Sequence, residues 1–65
     1  MKRLKLFGNY HVTISPIKHT TDGFIQITKV YEGKVCLDHH IFNAPVSNLE
    51  VREYFLNLLI TNKNK

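Results

Sequence analysis

The sequence is poor in the residues that support redox, metal and phosphate-loop chemistry. It contains one cysteine, Cys36, no tryptophan, and three glycines that lie apart from one another. A single cysteine cannot form an intramolecular disulfide, and isolated glycines exclude a glycine-rich phosphate loop. The lack of a disulfide framework favours a reducing, cytoplasmic compartment over secretion.

Long apolar runs are also missing. No stretch approaches the roughly 20 apolar residues of a membrane span, and the basic N-terminus resembles a signal peptide only until Lys5 interrupts its apolar run. With 43% hydrophobic residues in 65 positions, the chain is too apolar to be disordered. These features predict one small domain over residues 1–65 that acts away from the membrane.

The net charge of +4 is concentrated at the two ends. Five of the nine basic residues lie there, namely Lys2, Arg3, Lys5, Lys63 and Lys65. Between residues 6 and 62, four basic residues face five acidic ones, so this body has a formal charge of −1. We expect flexible basic ends at about residues 1–5 and 62–65. They serve either solubility or weak, non-specific contact with nucleic acid.

Alternating apolar and polar residues predict three strands at about residues 9–15, 24–31 and 34–42. A three-residue turn around Gly33 would pair Val30 with Lys34. That register places one apolar set of residues on a shared face: Ile25, Ile27, Val35, Leu37 and Ile41. The strands are then an antiparallel meander with this face turned inward.

Residues 45–51 predict the start of a helix. Ser47 is a good N-cap, Glu50 completes a capping box, and Val46 and Val51 occupy the positions of a hydrophobic staple. The helix should run from residue 48 to about residue 61 and pack on one face of the sheet. The predicted fold is therefore α+β, in the order β-β-β-α. This order is similar in outline to that of integrase-type DNA-binding domains.

The helix carries more apolar surface than a single sheet face needs. One stripe is formed by Val51, Tyr54, Phe55, Leu58 and Leu59. Leu49, Leu56 and Ile60 form a second stripe on the other side. This second stripe is predicted to contact a partner protein or a second copy of the chain, unless the N-terminal segment with Leu4, Leu6 and Phe7 covers it.

The outward face of the predicted sheet is the other candidate binding surface. Its predicted partner-binding residues are His11, Thr13, Phe24, Gln26, Thr28, Asp38, His40 and Phe42. This set includes an acid and no lysine or arginine, which is unfavourable for phosphate contacts. It also offers only two phenylalanines, at one edge, for stacking bases.

Cys36, Asp38 and His40 are expected on that same outward face, with His11 nearby and His39 turned inward as a structural histidine. Residues two apart on a strand are separated by about 6.6 Å, too far for all of them to reach one zinc ion. We therefore expect no metal, no cofactor and no catalytic site.

The sequence favours a small non-enzymatic binding protein, an inhibitor or adaptor that acts by protein contact and is able to form a homodimer. Its many lysines, asparagines and isoleucines suggest an AT-rich source, such as a phage or mobile element. The alternative is a small DNA- or RNA-binding regulator that uses the sheet face and the basic ends.

Overall fold

The computed structural model describes residues 2–63, with side chains to residue 61. It contains five strands and one helix. They are β1 (Lys2–Phe7), β2 (Tyr10–Ile14), β3 (Lys18–Thr20), β4 (Gly23–Glu32), β5 (Val35–Asn43) and α1 (Asn48–Lys63). The predicted α+β fold, with an antiparallel sheet and a C-terminal helix, is confirmed. The predicted three-stranded meander is wrong, because the sheet has five strands.

The two strands that the prediction missed are β1 and β3. Residues 2–5, which the sequence analysis assigned to a flexible end, form most of β1. Leu4 and Leu6 alternate there with basic residues, and Leu6 is buried beneath the helix. β3 has only three residues, too few for an alternating pattern to be recognised.

β4 is the central strand of the sheet. One of its edges pairs with β2 and then with β3, and its other edge pairs with β5. β1 extends the sheet beyond β2. Every pairing is antiparallel. Two-residue turns join β1 to β2, β3 to β4 and β4 to β5, whereas residues 15–17 connect β2 to β3.

The turn between β4 and β5 differs from the predicted one. Glu32 pairs with Val35, so the turn has two central residues, Gly33 and Lys34. Gly33 has a φ of 61° and Lys34 has no positive φ, which matches a type II′ turn. A bulge at Leu37 then shifts the register again. The predicted register, which pairs Val30 with Lys34, is therefore wrong. Val30 is paired with Asp38, Ile27 with Ile41 and Ile25 with Asn43.

The helix covers the face of the sheet that carries the even-numbered residues of β2 and β4. Val12 is paired with Val30 and Ile14 with Thr28, and all four are buried. The core also contains Leu6, Val51, Phe55 and Leu59. The prediction that Ile25, Ile27 and Ile41 face the helix is wrong, because each lies on the opposite face and Ile41 is 52% exposed.

The helix begins where the sequence indicates. The Ser47 hydroxyl oxygen accepts a hydrogen bond of 3.1 Å from the backbone N–H of Glu50, and the Ser47 carbonyl accepts one of 3.2 Å from Val51. Val51 is fully buried, and Val46 packs against the core. Within residues 2–63, no helix has both the length and the apolar character needed to cross a membrane.

Gln26 ties the helix start to the sheet. Its side-chain amide donates to the Ser15 carbonyl at 3.1 Å, and its amide oxygen accepts from the Val46 N–H at 2.9 Å. One side chain thus holds the end of β2 and the segment before α1. That segment includes a cis peptide bond between Ala44 and Pro45.

A side chain occupies one backbone donor at the centre of the outer edge of β5. The Ile27 N–H donates to the Ser15 hydroxyl oxygen at 2.8 Å, and the Ile27 carbonyl accepts from the Ser15 N–H at 2.9 Å. The backbone groups of odd-numbered residues in β4 therefore point toward β2. Because these groups alternate in direction along a strand, the even-numbered residues of β4 are the ones that bond to β5. The N–H of His39 consequently points away from β4. It donates to the Asp38 carboxylate at 2.8 Å.

Candidate functional site

The sheet face opposite the helix, here called the bare face, has no layer of the described residues packed over it. Strand pairing arranges its side chains in rows that cross the sheet from β1 to β5. One row is Arg3, Thr13, Lys29 and His39, and the next is Lys5, His11, Tyr31 and Cys36. Directly opposed residues on neighbouring antiparallel strands project from the same face, so each row lies on one surface.

The other end of the bare face is apolar. Ile27 is paired with Ile41, and Ile25 with Asn43 and, on the other side, with Lys18 of β3. Ile41 is more than half exposed, and Ile25 and Ile27 are half-buried. The bare face therefore combines a basic, aromatic end with an isoleucine end.

Positive charge is concentrated on this face. Arg3, Lys5, Lys18 and Lys29 project from it and are exposed, and Lys34 lies in the turn at its border. All five acidic residues of the chain lie elsewhere. Asp22 is in the turn before β4, Glu32 and Asp38 are on the helix side of the sheet, and Glu50 and Glu53 are on the helix. The face thus carries four lysine or arginine charges and no carboxylate.

The aromatic part of the bare face is a stacked pair. The rings of His11 and Tyr31 have centroids 5.2 Å apart and planes within 7° of each other. They line a shallow depression together with Arg3, Thr13, Gly33 and Lys34. Two further depressions adjoin it, one beside Lys5 and the other between Lys18 and Lys29.

The structure separates the eight residues that the sequence grouped into one partner-binding face. His11 and Thr13 lie on the bare face. Thr28 is fully buried and donates its hydroxyl to the His40 carbonyl at 2.7 Å, so it cannot contact a partner. The other five are on the helix side or at its border, namely Phe24, Gln26, Asp38, His40 and Phe42. The predicted grouping is wrong, because the even-numbered positions of β4 face the helix.

The side chains on the helix side have packing partners of their own. His40 stacks on Tyr54 with ring centroids 4.3 Å apart, and Phe42 meets the same ring edge-on at 5.4 Å. Phe24 is 54% exposed and contacts His19. Asp38 lies beside a groove under the C-terminal half of the helix, with Glu32 and Leu58. The two contacts with Tyr54 stabilise the packing of the helix on β5.

The predicted alignment of Cys36, Asp38 and His40 on one face is also wrong. The bulge at Leu37 leaves Cys36 opposite Tyr31 on the bare face, whereas Asp38 and His40 are on the helix side. His39, expected in the interior, is exposed beside Lys29. Among the side chains that the structure describes, no three histidine, cysteine or acidic groups are close enough to share a metal ion.

The second helix stripe is divided rather than continuous. Leu49 and Ile60 are 65% and 54% exposed, whereas Leu56 is half-buried and packs against the core. Leu6 is buried in that core, and Leu4 packs against it. The N-terminal segment thus lies under the helix, while Leu49 and Ile60 stay accessible.

The basic ends have unlike environments. Arg3 and Lys5 project from the bare face, whereas Lys2 is opposite Ile14 on the helix side. Lys63 ends the helix, but its side chain lies outside the described residues, as does the whole of Lys65. The N-terminal charges are therefore held in a strand beside the body of the molecule.

Sequence reasoning did not assign Tyr31, Lys18, Lys29 or Lys34 to a site. The alternation of Leu4 and Leu6 in β1 was the available signal, since it places Arg3 and Lys5 together on one face. The side to which β4 turns Lys29 and Tyr31 depends on its pairing with β2. Local alternation does not specify that pairing.

Comparison with known proteins adds no assignment. The chain matches no protein-family model, no curated protein and no solved structure. The function has to be argued from the bare face itself.

Proposed function

We propose that this chain is a small, non-enzymatic nucleic-acid-binding protein that uses its bare face. The observation that supports this proposal is the arrangement of Arg3, Lys5, Lys18 and Lys29 on one surface that has no carboxylate. Lys34 adds a fifth cation at the border. The predicted outward face, which has an acid and no lysine or arginine, is a different set of residues that the structure does not bring together on this surface.

Such a surface binds chiefly through the phosphate backbone. Each lysine or arginine that neutralises a phosphate releases condensed counterions, so affinity falls as salt rises. Phosphate contacts position a protein but carry no sequence information, which requires side chains that bind base edges. On the bare face the side chains suited to reading base edges are few. We therefore expect binding that is strongly salt-dependent and nearly independent of sequence.

A salt titration tests this proposal quantitatively. If all five cations contact phosphates of a single strand, the logarithm of the binding constant should fall with the logarithm of salt with a slope of about −3.5, from roughly 0.7 per phosphate. Arg3→Gln and Lys29→Gln should each reduce the magnitude of the slope by about 0.7. Arg52→Gln is the matched control, because Arg52 is an exposed arginine on the helix. Equal effects of all three changes would contradict the proposal.

A second candidate, protein binding, is favoured by the isoleucine end of the bare face. Ile25, Ile27 and Ile41 form an apolar patch next to the cations, a combination that also suits an acidic protein surface. Two copies of the chain would not join through this face, since four charges of the same sign would meet four others. Ile41→Thr separates the two candidates. It should weaken nuclease-resistant capture of a protein but change nucleic-acid affinity little.

A further inference from the structure

We infer that the bare face selects single-stranded over double-stranded nucleic acid, and that one base of the strand stacks on the His11–Tyr31 pair. This inference rests on the proposed function and specifies its ligand. It is carried by two properties of the face, its width and its combination of rings with cations.

The width of the face excludes insertion into a duplex groove. Four strands, β1, β2, β4 and β5, lie side by side and are all open on this side. At about 4.8 Å between neighbours, the outer strands are about 14 Å apart before any side chains are counted. The major groove of B-DNA is about 12 Å wide and admits one helix or a two-stranded ribbon. A duplex would touch this face only along its outermost phosphates.

A single strand is able to use both features of the depression around Tyr31. Arg3 and Lys34 line it together with the stacked rings of His11 and Tyr31. A nucleotide placed there would have cations beside its phosphate and an aromatic system beside its base. This combination is typical of single-strand sites, because every base has a face available for stacking only when it is unpaired.

Lys18 and Lys29 lie further along the sheet from this depression. Lys29 precedes Tyr31 by two residues on β4 and lies about 6.8 Å from it along the strand, and Lys18 lies beside Ile25 near the other end of β4. From Tyr31 to Ile25 the strand covers about 20 Å. The strand of nucleic acid is therefore expected to run roughly parallel to β4, with its phosphates toward β1 and β3.

The test compares a short labelled single strand with the same strand annealed to its complement, by fluorescence anisotropy at one fixed salt concentration. The wild-type protein should bind the single strand at least tenfold more tightly. Tyr31→Ile removes the ring but keeps a strand-forming apolar residue, and it should lose about fivefold to 140-fold in single-strand affinity. Tyr31→Phe retains the ring and should bind like the wild type.

Duplex binding is the internal control for this test. It should be unchanged by Tyr31→Ile, since outer phosphate contacts do not involve the ring. Equal affinity for both ligands, with a normal salt slope, would overturn the single-strand inference and leave the proposed function intact. Failure to bind either ligand would overturn both.

A second measurement does not depend on affinity. The chain has three tyrosines and no tryptophan, so the variant Tyr10→Phe/Tyr54→Phe retains Tyr31 as its sole tyrosine fluorophore. Stacking of a base on Tyr31 should quench this emission on addition of the single strand. Saturable binding without quenching would show that the strand lies elsewhere on the protein and would overturn the inference. This readout remains decisive even if Tyr31→Ile fails to fold.

Discussion

The two faces of the sheet differ in a way that their composition does not suggest. The helix-covered face contains Val12 and Val30, but it also buries the hydroxyl of Thr28. On the bare face, Ile41 is exposed to solvent, and so are the lysines. The difference teaches that a face becomes core through what packs on it. Buried polar groups are tolerated there because they are hydrogen-bonded, as Thr28 is to the His40 carbonyl.

The strongest test of this difference is a pair of truncations, one on each side of the sheet. Phe55 is fully buried against the covered face, so Phe55→Ala should lower the free energy of unfolding by about 3–5 kcal/mol, enough to unfold much of a small domain. Ile41→Ala, on the bare face, should cost less than about 1 kcal/mol. Urea denaturation measures both. Similar losses for the two variants would show that the bare face is covered in solution.

A smaller effect is expected on the second helix stripe. Leu56 is half-buried against the core, so Leu56→Lys should cost about 1–1.5 kcal/mol, part of the roughly 1.5–3 kcal/mol of a fully buried leucine. Leu49→Lys should change stability by no more than about 0.5 kcal/mol, because Leu49 is exposed. Thermal melts and sedimentation velocity follow stability and mass together. If Leu56→Lys instead dissociated a dimer without destabilising the chain, the predicted intermolecular contact would be supported.

The two faces differ because the helix covers one of them. The first turn of the helix is capped by Ser47. Ser47→Ala removes the side-chain acceptor for the Glu50 N–H and should cost about 1 kcal/mol. Ser47→Asp should retain most of the stability, since aspartate is an equally good N-cap. Helix content and melting temperature from circular dichroism give the result. An unchanged melting temperature in Ser47→Ala would show that this cap contributes little.

The smallest expected effect concerns one hydroxyl on each face. Thr28→Val deletes the hydrogen bond to the His40 carbonyl and should cost about 0.5–1 kcal/mol. Thr13→Val, at a half-buried position of the bare face, should be neutral or slightly stabilising, because valine favours strands. Midpoints of chemical denaturation resolve differences of this size, provided that the free energy of unfolding depends equally on denaturant concentration in the compared variants. A stabilising Thr28→Val would mean that residue 28 is not enclosed as described.

The sequence predicted the parts of this fold that depend on short-range chemistry. The cap at Ser47 is such a case, since its partner is three residues away. The alternation that places Val12 and Ile14 together on one face of β2 is another. Both follow from local geometry, so neighbouring residues suffice to recognise them.

The candidate site could not be predicted in the same way. In β4 the odd-numbered positions include Ile25 and Ile27, so hydrophobicity alone favours turning them inward. The pairing of Val12 with Val30 instead turns the even-numbered positions of β4 toward the helix, and Leu6 of β1 fills the core beside them. Both are contacts between segments distant in sequence. The positions of Lys29 and Tyr31 on the bare face follow from that choice.

The hydrogen bond from the His39 N–H to the Asp38 carboxylate bears on aggregation, because it occupies a backbone donor on the exposed edge of β5. β5 is a nine-residue edge strand with neither proline nor lysine, which would ordinarily offer a template for sheet-to-sheet aggregation. A foreign strand added at this edge must first displace the carboxylate from the middle of the strand, next to the irregular backbone of the Leu37 bulge. The opposite edge, β1, instead carries Lys2, Arg3 and Lys5, whose like charges repel a second copy. We therefore expect the addition of further strands to be opposed at both edges of the sheet, by a bound carboxylate at β5 and by charge repulsion at β1.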